Sequence, residues 1–368
     1  MSILEKLYSL IPMAEIEQSA QQQIYDVLRL DCLKKLAIMP DVHAGYDLCI
    51  GGAALLDGMI SPSFVGYDIG CGMCYVDTGA KVSDLFPRGR EDMEKVQAKI
   101  LSVVPSGFSS LPSPSDAMVY TAGHLPKDVA ARVKEKSQQQ IGTLGGGNHF
   151  IEIGENRAGN VVITIHSGSR NVGHTIGGWY MKQGRMFPLE SELGQMYQLD
   201  LQFSLEWALE NRKQMILDVL DCLVLGYQSK EILSTMVNEN HNHAVVTPGG
   251  VLHRKGATPA DAGQLGIIPA NMRDGVFITR GLGNSEYLSS ASHGCGRKMG
   301  RNQAKKSLDL DEFREQMKGV VSIADKTTLD EAPNAYKDIK GVLALQEGIV
   351  VEVIDHAKPL INIKAQGD

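Results

Sequence analysis

A chain of 368 residues with 43% hydrophobic and only 6% aromatic residues, and 39 glycines, has the length for a large core and many tight turns, as in an α/β or α+β enzyme. Its formal net charge of −7 excludes a globally basic nucleic-acid binder, so a polyanionic partner would have to meet a local basic patch or a metal. No run approaches the ~18 apolar residues of a membrane span, and Met1-Ser2-Ile3-Leu4-Glu5-Lys6 is too acidic and too short in apolar residues for a signal peptide.

Cysteines at 32, 49, 71, 74, 222 and 295 follow no disulfide-framework spacing, which predicts a reducing, cytoplasmic setting. Ile16, Ala20, Ile24, Val27 and Leu28 predict an amphipathic helix over 15–28. Residues 36–39 read as a strand ended by Pro40, presenting Asp41-Val42-His43-Ala44-Gly45 just beyond it. Residues 49–56 and 59–65 read as two strands turned by Asp57-Gly58, with a further strand at 73–76. Helices are expected over 91–104 and 127–139, separated by a Ser- and Pro-rich surface loop at 105–124. Strands follow at 149–153 and 161–165. Helical periodicity then runs from about 192 to 225 through Leu193, Met196, Leu201, Leu205, Leu209, Ile216 and Val219, as one helix or two, with its Met and Trp residues in the core. Strands are expected at 244–247, 275–279, 349–354 and 360–364, and the basic run 297–306 reads as a helix start. No repeat, low-complexity block or linker divides the chain. The expected architecture is α+β, one domain over 1–368, with mixed β-sheets and flanking helices.

Chemistry concentrates in the turns. Gly66-Tyr67-Asp68-Ile69-Gly70-Cys71-Gly72 sets a carboxylate and a thiol three residues apart on a glycine-bent backbone. That is either a tight turn with an incidental buried Cys or a ligand pair for a borderline transition metal. His149 follows Gly145-Gly146-Gly147-Asn148, His166 ends a strand, and His241 sits in Glu239-Asn240-His241-Asn242-His243. With Asp68 and Cys71 these supply enough ligands for two metals, the usual clamp for phosphoryl displacement, with Cys71 able to bridge. The glycine run could cradle phosphate, but neither a P-loop nor a Rossmann fingerprint is present. Cys71-Gly72-Met73-Cys74 lacks a second C-x-x-C and a βαβ setting, which argues against redox chemistry. In His293-Gly294-Cys295-Gly296-Arg297 the glycines would let a phosphate reach the imidazole, with Arg297 neutralising charge; the alternative is a fifth metal-binding His. Cys295 reads as a buried apolar residue.

These motifs, together with Met39-Pro40-Asp41-Val42-His43-Ala44-Gly45-Tyr46, His166-Ser167-Gly168-Ser169-Arg170 and His253-Arg254-Lys255-Gly256-Ala257-Thr258, resemble the RtcB-type RNA ligases in order from about 37 to 306, with a fitting 359–364; the first 36 residues resemble the family loosely. The resemblance implies an RtcB-like fold and an enzyme using GTP and two Mn²⁺. It would join RNA 3′-phosphate or 2′,3′-cyclic phosphate ends to 5′-hydroxyl ends, in RNA repair or tRNA splicing. His293 would become guanylated, with Asp41 orienting its ring. Asp68, Cys71 and His149 would hold one Mn²⁺; Cys71, His166 and His241 the other. Asn148 and Arg170 would contact phosphates, Glu152 and Lys364 the guanine, Pro269 the nucleotide, and Arg297 the phosphate path. Arg254, Lys255, Arg297, Lys298, Arg301, Lys305 and Lys306 would offer an RNA track or, for the last three, a solvated helix face. An archease-like activator is a partner the resemblance allows. The chain departs from the family in a short interval between His166 and His241, in Ala270-Asn271, in Cys295, and in a tail running past Lys364. Two other classes remain: a dinuclear phosphoesterase that needs the metals but not His293, and a non-enzymatic RNA-end-binding protein.

Overall fold

Two sheets, both largely antiparallel, carry most of the predicted motifs, and a short pairing of Ala257–Pro259 with Ser290–Ser292 leads into the His293 motif. The structure is a computed structural model that describes residues 3–365; Met1-Ser2 and the tail past Ala365 lie outside the described residues. The smaller sheet orders five strands as Leu7–Ser9, Leu33–His43, Ile50–Leu56, Gly250–Lys255 and Asn242–Thr247. The larger runs Leu265–Pro269, Val276–Gly281, Val351–Lys364, Phe150–Glu155, Asn160–Ser167, Gly72–Lys81 and Val237–Asn240, with Val321–Ser322 pairing beside Val351–Lys364. The expected α+β class with flanking helices is what the structure has.

Side-chain parity on the larger sheet decides which residues face chemistry. Along a strand successive side chains point to opposite faces. Cys74, Val76, Ile151, Ile153, Val161, Ile163, Ile165, Ile361 and Ile363 share one core, beneath Arg90–Val103 and Glu192–Cys222, whose Ile100, Met215, Ile216 and Val219 close it. The residues between them, Phe150, Glu152, His166, Asn362 and Lys364, therefore stand on the other face. Register brings them side by side, because Phe150 pairs with both His166 and Lys364, and Glu152 with Asn362.

The helix expected over 15–28 forms as Gln18–Leu28 and buries Ala20, Ile24, Val27 and Leu28. The predicted long periodicity is a single helix, Glu192–Cys222, capped by the Ser191 hydroxyl accepting from Gly194 N–H. Three boundaries differ from expectation. The first strand does not stop at Pro40 but continues to His43, its pairing register shifting between Ile38 and His43, so the proline falls where no ladder N–H is needed. Residues 59–65 are not one strand: Met59–Ile60 pairs with Phe187–Pro188, and Pro62–Val65 turns into a helix that Ser61 caps through Phe64 N–H. No hairpin forms across Asp57-Gly58. The two terminal strands are one, Val351–Lys364, with a register shift near Pro359. The loop after Val104 is less superficial than expected, since Tyr120 is buried and its hydroxyl donates to Asp200 at 2.7 Å.

Candidate active site

The turn that follows Pro62–Val65 delivers Asp68 and Cys71 against the ends of the larger sheet. Cys71 Sγ lies 3.5 Å from His149 Nε2 and 3.3 Å from His166 Nε2, and the latter lies 3.3 Å from His241 Nε2. Asp68 Oδ2 is 3.2 Å from His149 Nε2. Two overlapping groups result, Asp68–Cys71–His149 and Cys71–His166–His241, sharing the thiol, with ligand atoms within 4.8 Å of one another in each. A zinc-like ion ~2.3 Å from a thiolate and ~2.0 Å from an imidazole sets sulfur and nitrogen ~3.6 Å apart at a tetrahedral angle, so this donor set fits transition metals. His149 Nδ1–H donates to the Leu144 carbonyl at 2.9 Å, which aims Nε2 into the cluster. Burial, reinforced by neighbouring histidines, holds the His166 and His241 pKa values well below the usual, leaving neutral imidazoles. Burial pushes the Asp68 carboxyl up, but the hydrogen bond and charge of His149 outweigh it and bring it down to about 2. The Cys71 thiol is pushed well up, by burial first and then by Asp68, which a metal would reverse by binding the thiolate.

His293 stands beside this cluster, its ring centroid 4.9 Å from that of His241. The fully buried Asp41 accepts from His293 Nδ1–H at 2.6 Å and, with the same oxygen, from the His293 backbone N–H at 3.1 Å. Nε2 is then the unprotonated nitrogen. Lys337 Nζ donates to the carbonyls of Pro40 and Val42, at 3.2 and 3.0 Å, fixing the backbone on either side of Asp41. His43 Nδ1–H donates to the Asp41 carbonyl at 3.0 Å, and His43 is no part of the ligand groups. His253 is structural: it accepts from Ser61 N–H at 2.9 Å.

A cavity on the far side of His293 and His166 is lined by Asn148, Phe150, Glu152, Pro269, Arg297 and Lys364, which brings together the predicted nucleotide residues except Arg170. Glu152 takes one hydrogen bond on Oε2 from Asn362, at 2.8 Å, while its buried Oε1 has no partner. Burial pushes its pKa up to about 8 despite the opposing Asn362 bond and Lys364 charge. Lys364 Nζ reaches Asn148 O at 3.3 Å and Glu331 at 2.8 Å. Cys295 is buried and its thiol donates to Ala270 O at 2.8 Å, as expected of a packing residue.

Arg170 faces a second cavity with Gly146, Gly147, Asn148 and Asp68. Gly145, at φ +95°, is needed there because a Cβ would lie 2.2 Å from an Arg170 guanidinium nitrogen. The proposed basic track is not formed as a whole. Arg254 is buried against Ser290 and His243. Arg297 and Arg301 pair with Glu331 at 3.1 and 2.7 Å, and Lys305 with Asp330 at 3.6 Å. Arg297, Arg301 and Lys305 balance two buried carboxylates, with Arg301 and Lys305 still partly open to solvent.

The supports of the site went unpredicted. Arg212, fully buried, donates to the carbonyls of Gly70 and Ser167 and to the side chains of Asn238 and Asn240, all at 2.7–2.9 Å. It thereby ties together the segments bearing Cys71, His166 and His241. Its signal in sequence was an arginine on the stripe Ala208, Met215, Val219 of the long helix. Gly168 is a second support, since a Cβ there would lie 2.2 Å from Asp68 Oδ1. Glu331 and Tyr336 gave no such signal.

Two overlapping ligand groups next to a histidine backed by a buried aspartate define a metal-capable centre with an oriented imidazole beside it. The family profile described as tRNA-splicing ligase RtcB matches residues 23–365, and the chain belongs to the RtcB family. The RNA-splicing ligase RtcB of Escherichia coli (strain K12) is similar at 32% identity, covering 95% of each chain. The tRNA-splicing ligases RtcB of Methanococcus maripaludis and Thermococcus kodakarensis are similar at 28% and 27%, covering 95% and 92% of this chain and 92% and 89% of their own. The alignment with the K12 protein spans 392 positions, more than the 368 residues here, so that relative carries insertions, consistent with a compact member. Among the described residues no helix is long and apolar enough to cross a membrane.

Proposed function

We infer that this chain is an RNA ligase that works through a covalent histidine–nucleotide intermediate, with GTP as nucleotide and Mn²⁺ as metal. Family membership supports ligation, and the observation that carries the mechanism is the 2.6 Å Asp41–His293 contact beside the ligand cluster. Asp68, Cys71 and His149 would hold one Mn²⁺ and Cys71, His166 and His241 the other. When bound, the ions neutralise phosphate charge that a chain of net charge −7 cannot. His293 Nε2 attacks the α-phosphorus of GTP; the P–N bond forms as the bond to pyrophosphate breaks. Asp41 holds the ring in the attacking tautomer and offsets its positive charge. GMP then passes to the oxygen of an RNA 3′-phosphate, freeing His293, and a 5′-hydroxyl displaces GMP to close the phosphodiester.

The unpartnered Glu152 Oε1 suits the N1–H and amino group of guanine, and Lys364, an ammonium donor, suits its carbonyl. Asn148, which lines both the nucleotide cavity and the next, and Arg170, which faces the second, suit the phosphates. Incubation with GTP labelled at the α-phosphate and Mn²⁺ should leave acid-labile label on the wild type and none on His293→Ala. Label on His293→Ala, or none on wild type, would overturn the mechanism. RNA-end phosphate hydrolysis that survives His293→Ala without any ligation would favour a phosphoesterase instead.

A further inference from the structure

The centre opens in two directions, and the sides away from the nucleotide pocket carry an aromatic surface that no step above uses. Tyr67 stacks on His174 with ring centroids 4.8 Å apart and an interplanar angle of 23°. Tyr46, 61% exposed, meets Tyr67 edge-on at 5.3 Å and has Lys255 Nζ 5.4 Å from its own centroid. The Tyr67–His174 pair is where three cavities meet. One contains Asp68, Arg170 and the glycine run; a second contains Cys71, His241, His293 and Lys255; the third leads away past Arg132, Trp179 and Lys182. A continuous path thus runs from the nucleophile and ligand cluster, over exposed aromatic rings, to exposed cations. Asp68 lies on that path within the ligand cluster; beyond it Asp47 pairs with Arg185 at 3.0 Å and Asp128 with Arg132 at 3.6 Å.

Rings with exposed faces and interleaved cations are how proteins hold single-stranded nucleic acid largely independently of sequence. We propose that Tyr46, Tyr67 and His174 form a platform on which unpaired bases next to an RNA end stack, with Arg132 and Lys182 meeting the phosphates further along the strand. The inference deepens the ligase reading and rests on it. It assigns the RNA to the mouth opposite Glu152 and Lys364, so that nucleotide and RNA reach His293 from different sides. It also implies that the joined ends are single-stranded over at least the terminal bases, because a paired base hides the face that a ring would cover.

The test is binding of a fluorescein-labelled single-stranded oligoribonucleotide ending in a 3′-phosphate, followed by anisotropy with the full chain and Mn²⁺. Tyr46→Ala with His174→Ala should weaken binding roughly fivefold to a hundredfold, as loss of one stacked base does, while Tyr67→Phe, which keeps the ring, should bind as wild type does. The second arm changes the RNA instead of the protein. Abasic sites at the terminal nucleotides should weaken wild-type binding to a similar degree and should cost the double variant little more. Wild-type affinity in the double variant, or no loss with the abasic oligonucleotide, overturns the platform. If the double variant does not fold, the abasic arm on wild type decides alone. Labelling of wild type by GTP is read separately, so a failed platform with intact labelling leaves the ligase reading standing, and the converse is equally visible.

Discussion

Asp41→Asn removes a charge and sets an amide N–H₂ where the buried Oδ1 has no partner. One oxygen of Asp41 accepts both the ring Nδ1–H of His293 at 2.6 Å and its backbone N–H at 3.1 Å. An asparagine can place its amide oxygen at that point and keep both hydrogen bonds, so the ring stays in the tautomer that exposes Nε2. What is lost is the difference between an ionised and a neutral acceptor in a fully buried place. Hydrogen bonds to charged groups contribute about 1.5–3 kcal/mol against about 1 for neutral ones, and the attacking ring gains positive charge in the transition state. The expected loss is about 10- to 100-fold in the rate at which protein is labelled by GTP. It should stay well short of the ~10⁴-fold seen where an Asp→Asn change reverses a catalytic tautomer. Asp41→Ala, which leaves both donors without an acceptor, should lose more. The assay is single-turnover labelling with Mn²⁺ in excess, alongside a Mn²⁺ titration. Labelling by Asp41→Asn within about threefold of wild type refutes the role given to the carboxylate; a matching loss of metal affinity assigns the effect to the metal centre instead.

Two further outcomes follow from the same geometry. Cys71 is the ligand common to both groups, so Cys71→Ser should weaken both Mn²⁺ ions by at least about tenfold in a calorimetric or EPR titration, whereas His149→Ala and His241→Ala should each impair one ion. Glu152 has its pKa raised to about 8 by burial, so in the free protein it is mostly protonated at neutral pH. Guanine donors need the carboxylate; GTP affinity should therefore rise about fivefold between pH 7 and 8 and level off above, and Glu152→Gln should bind more weakly without that rise. The stability sign is opposite. A raised folded-state pKa gives stability that is complete below the unfolded value of 4.5 and is lost as pH climbs through 8, so the nucleotide-free protein should melt lower at pH 8.5 than at pH 6 and Glu152→Gln should not.

The residues that form the metal-capable groups were legible because they sit where the chain must turn. Asp68, Cys71, His149, His166 and His241 lie in or beside glycine-rich or polar segments at strand ends, and such segments declare chemistry whatever the fold. Elements with strong periodicity, such as Gln18–Leu28 and Glu192–Cys222, were legible for the same local reason. What stayed hidden depends on partners far away in sequence. Residues 59–65 have strand-like composition, yet Ser61 and Pro62 start a helix there, and Ile60 pairs with Phe187, 127 positions on. Arg212 looked like one more polar position on a helix, and its four acceptors come from three separate segments. Local pattern names the ligands; only the assembled chain reveals what aims them.

The basic run shows the same limit, with a consequence for how RNA is held. Read as sequence, residues 297–306 supply five cations for a polyanion. In the structure Arg297, Arg301 and Lys305 face Asp330 and Glu331, and the Glu331 carboxyl, pushed up by burial, is brought down to about 2 by Lys364 and Arg301. These charges cancel within the fold, and their work is to position the Lys364 side of the nucleotide pocket. Few cations near the centre then remain for phosphates: Lys182, and Arg132, which shares its charge with the exposed Asp128. Each phosphate neutralised on a single strand contributes a slope of about −0.7 in log K against log salt. With two or three such contacts the slope should be about −1.5 to −2, measured by the same anisotropy titration between low and moderate salt. A slope steeper than about −4 would require an extended basic track and would return the run at 297–306 to the RNA. A shallow slope combined with a large loss on abasic RNA assigns affinity to stacking and the metal centre, which is how a chain of net charge −7 can hold an RNA end at all.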